Sequence, residues 1–139
     1  MPKLTATVIL VISLFMAVPA IAGSLKDAKE AYDRGDHTTA VRLFMPLAEQ
    51  GDAEAQHALG YMYRTGEGVP KDLVKAYMWL TIAISQFHEL DTARRTLVES
   101  NRILIATSMT PEQIAEAQKL AQVWITKKEQ CRTGSGVNC

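Results

Sequence analysis

From residue 25 onward, apolar side chains recur every three or four positions, the spacing of one helix face. Two stretches of this pattern repeat each other. Ala28, Tyr32, Gly35, Asp36, Ala40 and Phe44 are followed by Leu59, Tyr63, Gly66, Asp72, Ala76 and Leu80. The offset is 31 residues up to the glycine, from 28 to 59, and 36 beyond it, from 36 to 72, because Glu67–Lys71 lengthen the second turn. A period in the thirties predicts stacked helical hairpins, each burying its apolar face against the next.

Local signals divide the pattern into helices and give no strand. The first is predicted over about 25–34, behind Ser24 and ending at Gly35. The second runs 37–50 between Asp36 and Gly51, since aspartate accepts bonds from the free amides at a helix start and glycine closes its end. Pro46 lies inside it, where the lost amide predicts a kink. The third runs 53–65 behind Asp52, with Ala55, Ala58, Leu59, Met62 and Tyr63 on its apolar face. Gly60 costs that helix about 1 kcal/mol relative to alanine, a loss that close approach of a neighbouring backbone would offset. Gly66 and Gly68 belong to a turn in which Val69 is predicted to plug the core, and Asp72 caps a fourth helix over 73–86.

Beyond that point the repeat stops. Leu90, Ala93, Leu97 and Leu104 predict the apolar stripe of a helix over about 89–107. Thr110, Pro111 and Gln113 form a strong start signal, with a threonine cap, proline at the first helical position and glutamine closing a capping box. Ile114, Ala117, Ala121 and Trp124 line one face of this last helix. The two helices are predicted to form a hairpin that caps the open end of the stack, which would otherwise expose an apolar face.

The first 22 residues change the picture of where the chain works. Lys3 precedes an almost wholly apolar stretch, Leu4–Val18, and Ala20-Ile21-Ala22 supplies a small-x-small cleavage pattern. This predicts a secretory signal peptide over 1–22, cut after Ala22, with a retained anchor as the alternative. The stretch is shorter than the roughly 20 residues that span a bilayer. Residues 23–130 then form one helical domain, and 131–139 a flexible tail with Cys131 and Cys139. In an exported protein the two can pair with each other; a link to another chain or two thiols are the other readings. Fifteen basic and fifteen acidic residues give a net charge of zero with the signs interspersed. That balance predicts neither a nucleic-acid partner nor, in the mature form, a membrane partner.

The stretch from Ala53 to Asp72, followed by Lys75, Ala76 and Trp79, resembles a Sel1-like repeat of the tetratricopeptide-like superfamily. The motif residues are Ala55, Leu59, Gly60, Tyr63, Gly66, Gly68, Val69, Asp72, Ala76 and Trp79. Residues 28–50 look like a degenerate preceding repeat without the glycine-rich turn. The resemblance implies an all-α, short right-handed α-solenoid. It also implies an adaptor role, with a groove for a peptide or partner domain, in a bacterial envelope or a eukaryotic secretory compartment.

In such stacks the first helix of each pair lines the concave side. Glu54, His57, Tyr61 and Arg64 share one face of the third helix and form the candidate partner-binding surface, with Lys26 and Glu30 added from the first helix by the 31-residue offset, which also maps Arg64 onto Asp33. Tyrosine offers rigid contact area, and arginine forks onto carboxylates. The same residues also describe an ordinary solvated helix face. The histidines make no ligand pair, the serines fit no nucleophile motif, and no base and orienter accompany them. The reading is therefore a non-enzymatic exported adaptor for an envelope protein, without cofactor or metal. The alternatives are an envelope enzyme or β-lactam-like ligand binder, since cysteine-rich relatives of the repeat are linked to β-lactams, and a self-assembling structural protein.

Overall fold

A computed structural model describes residues 23–135. The signal-peptide segment and Cys139, and with it the pairing of the two cysteines, lie outside the described residues. Among the described residues every regular element is a helix: α1 Leu25–Asp33, α2 His37–Gln50, α3 Ala53–Thr65, α4 Leu73–Gln86, α5 Thr92–Ala106 and α6 Pro111–Thr133.

The caps explain these boundaries. Asp36, Asp52 and Asp72 each accept a bond from the amide three residues on, satisfying donors that the helix leaves open. Ser24 with Asp27, and Thr110 with Gln113, close reciprocal capping boxes. Helix α2 continues through Pro46, whose ring lies on the exposed side, where solvent can satisfy the Arg42 carbonyl.

Each helix packs on the next from α1 to α4, giving two antiparallel hairpins side by side. The core between them holds Phe44, Leu59, Met62, Leu80 and Ile82, all essentially buried. Each such side chain stabilises the fold by roughly 1.5–3 kcal/mol relative to exposure. Gly60 is where α3 and α4 approach closely. A Cβ there would stand 2.5 Å from a Leu80 methyl and 3.3 Å from the Ala76 carbonyl oxygen. Gln56 is fully buried as well, and its amide donates to the Ala48 carbonyl of α2 at 2.9 Å.

The α3–α4 turn locks one hairpin to the other. Gly68 has a φ of +72°, and a Cβ on it would fall 2.4 Å from the His37 carbonyl oxygen at the start of α2. Beside it the Tyr32 hydroxyl donates to the Glu67 carboxylate at 2.7 Å. Val69 is half-buried against the core, as its place in the turn predicts.

The predicted terminal hairpin does not form: α5 and α6 each pack extensively on α4 and hardly on each other, so they cover the stack by flanking α4. Trp124 of α6 meets Trp79 of α4 edge to face, with centroids 6.4 Å apart. Two further expectations change here. Helix α5 begins at Thr92 behind Asp91, not at 89, and its predicted stripe is not the buried one: Leu90 is 86% exposed, Leu97 and Leu104 are each 56% exposed, and Ala93 is also exposed. The buried line is Val98 and Ile105, with Arg102 between them laid over the Tyr77 ring at 5.6 Å. A cation inside the buried line hid that face from the apolar pattern. At the other end, α6 runs through Cys131 to Thr133 and closes at Gly134, so the helical domain extends past 130.

Candidate functional site

Helices α1, α3 and α5 border one side of the stack and enclose a cleft of about 520 Å³. Glu54, His57, Ala58 and Tyr61 of α3 form its middle. Lys29, Tyr32 and Asp33 of α1 form one wall, and Arg94, Leu97 and Val98 of α5 the other. Phe44 and Phe87 complete an apolar lining. The exposed Leu97 that departs from the core expectation is thus a cleft residue.

Polar contacts hold the walls in place. The Glu54 carboxylate accepts from Lys29 of α1 and, at 2.5 Å, from Arg94 of α5, so one acid joins three helices. The Lys29 hydrogen bond leads in holding the Glu54 carboxyl below its usual range, against the opposing effect of burial. Burial also lowers the His57 pKa, which keeps the imidazole neutral. Its Nε2 lies 3.2 Å from the Asn101 side-chain amide. An amide nitrogen only donates, so Nε2 accepts and Nδ1 carries the proton. Tyr32 meets the Tyr61 ring edge to face at 6.5 Å, and burial and the Glu67 carboxylate push its phenol well above the ordinary range. It remains a protonated donor.

The six candidate surface residues divide. Glu54, His57 and Tyr61 line the cleft together. Arg64 lies one turn further along α3, its guanidinium 4.9 Å from the Tyr61 ring centroid, and borders a small recess with His57, Asn101 and Ile105. Lys26 and Glu30 do not reach the cleft. They pair with each other at 3.5 Å on the outer face of α1. The Lys29–Glu54 ion pair and the Tyr32–Tyr61 contact set the rotation of α1, so its cleft side carries 29, 32 and 33 rather than 26 and 30. The sequence pattern does not reveal the α5 wall; Arg94, four residues after Leu90 and beside the exposed stripe, is its one polar signal.

Short antiparallel helices stacked in sequence, with a cleft across alternate helices, define a small α-solenoid of helical hairpins. Residues 53–86 match the family model described as the Sel1 repeat. That stretch of the chain, α3 with α4, is thus a Sel1-like repeat. No curated protein matches the chain. Sel1 repeats mediate protein–protein interactions and are typically non-enzymatic. The motif residues hold the scaffold: Ala55, Leu59 and Ala76 are fully buried, and Tyr63 and Trp79 nearly so.

Proposed function

We propose that the protein is an exported, non-enzymatic adaptor that holds a short segment of a cell-envelope protein in the α1–α3–α5 cleft. The observation that carries this reading is an apolar cleft whose three walls are tied together by Glu54, so that a partner meets a preformed surface. A preformed surface reduces the ordering cost of binding. At about 520 Å³ it has room for a few side chains, not a whole domain. The polar groups that resemble catalytic candidates, Glu54 and His57, are both engaged in holding helices together. Export rests on the apolar stretch Leu4–Val18 and the Ala20-Ile21-Ala22 pattern.

Photo-crosslinking in the native host tests the proposal, with probes at positions 61 and 97 in the cleft and at exposed Lys119 on α6 as control. Discrete adducts from 61 and 97 only, formed with an envelope protein, are the expected result. The same bands from all three positions, or none from 61 and 97, would remove the cleft as the binding surface.

A further inference from the structure

The cleft carries an asymmetry that bears on the kind of segment it takes. At its middle, charge is balanced locally: Glu54 serves Lys29 and Arg94, and Arg94 also reaches Asp91 at 3.4 Å. Arg64 differs. Among the described residues no carboxylate pairs with it, and its guanidinium is placed only by stacking on Tyr61. The recess it borders adds no opposing charge. His57 is neutral there, and Asn101 directs its amide at His57. A half-buried cation with its donors uncommitted thus stands at one end of an apolar cleft.

Resting on the cleft reading above, we infer that the segment recognised is extended and pairs an apolar anchor with an acidic side chain about three residues away. The anchor sits among Phe44, Phe87 and Leu97, and the carboxylate takes the Arg64 fork. The spacing follows from α3 itself. Six positions separate Ala58, in the cleft lining, from Arg64, and a helix rises 1.5 Å per residue, so the two subsites are offset by about 9 Å along the α3 axis. An extended chain covers that distance in roughly three residues. Arg64 lies in the last turn of α3, where backbone amides are already bonded within the helix. A lone guanidinium fork without exposed amides beside it suits a side-chain carboxylate better than a chain terminus.

The test is a displayed library of random dodecapeptides panned on the purified protein, followed by fluorescence anisotropy with enriched peptides synthesised with both ends capped. The expected consensus is an apolar residue with aspartate or glutamate about three positions away. Arg64→Gln should weaken binding by about tenfold or more, the worth of a charge-assisted hydrogen bond. Changing the peptide's acid to its amide should cost a similar factor in the native protein and little more in Arg64→Gln. Arg64→Lys should recover part of the loss, and helical melts should show that each variant is folded. Enriched peptides that depend on Leu97 but ignore Arg64 would overturn this inference and leave the cleft reading standing. If no enriched peptide is weakened by Leu97→Asp, both fail.

Discussion

Replacing Gly68 with alanine tests whether the α3–α4 turn locks the two hairpins together. Three contributions set the size of the effect. The positive φ of Gly68, +72°, costs an L-residue roughly 1–2 kcal/mol, and the smaller conformational freedom of unfolded alanine returns about 0.4–1 kcal/mol. The third is steric. The new Cβ would stand 2.4 Å from the His37 carbonyl oxygen and 3.0 Å from the Thr38 nitrogen, whereas a relaxed carbon–oxygen contact is about 3.3 Å or longer. These are backbone atoms in the first turn of α2, so relief requires the turn and α2 to separate, at the roughly 1–3 kcal/mol typical of overpacking. The net expectation is a loss of about 2–4 kcal/mol. Gly35 supplies the internal control, with a φ of +78° and nothing within 4 Å of its Cβ position. Gly35→Ala should therefore lose only about 0.5–1 kcal/mol. Urea unfolding of both variants, followed by far-ultraviolet circular dichroism at equal m-values, measures the difference. If Gly68→Ala is no worse than Gly35→Ala, the turn does not press on α2 and the argument for interlocked hairpins is wrong.

Three further outcomes follow from the packing. Gln56 is buried with Oε1 unpartnered among the described residues, and the Ala48 carbonyl it bonds also accepts from Gly51. Gln56→Met should thus stay within about 1 kcal/mol of the native protein, while Gln56→Ala leaves a cavity and should lose about 2 kcal/mol or more in the same urea assay. Burial lowers the pKa of folded His57 below its ordinary value near 6.5, so the unfolded chain takes up a proton first as pH falls. Stability should accordingly decline as pH falls through the ordinary histidine range, from about pH 7.5 downward, and His57→Gln should flatten that slope. Tyr32→Phe removes the donor to Glu67 but keeps the ring contacts, and its thermal melt should report a loss of about 1–2 kcal/mol.

The sequence was most informative where the signal is local. Asp36, Asp52, Asp72 and Thr110 mark helix starts that the structure places one residue later, because a cap acts only on the turn that follows it. Asp91 is a cap of the same kind, but Leu90 just before it completes a false apolar series and drew the start of α5 forward. Side-chain roles set by distant partners were less legible. Gln56 reads as a surface residue until α2 is placed against it, and Arg102 reads as solvent-facing until Tyr77 lies beneath it. The rotation of α1 follows from partners 25 and 29 positions away, Glu54 from Lys29 and Tyr61 from Tyr32, and of its cleft side the 31-residue offset carries over Asp33 alone.

That division has a physical cause which also locates the site. Motif residues such as Leu59, Ala76 and Trp79 are buried between adjoining helices, so the requirement on them is to pack, and any partner-facing side chain must lie elsewhere. Two of the three cleft walls accordingly come from helices that depart from the repeat, α1 with its weakened motif and α5 with none. Glu54 reconciles the two demands. It lies on the motif-bearing helix but faces outward, and its two oxygens hold Lys29 on one flank and Arg94 on the other. Removing that charge leaves Lys29 and Arg94 without the acid that bridges them, Arg94 keeping only Asp91 on its own helix, so the flanks should loosen while the motif-built core remains packed. The shape of the cleft is therefore separable from the stability of the fold, and Glu54→Gln is the substitution that separates them. Its urea midpoint should stay close to native, and its affinity for cleft-dependent peptides should fall.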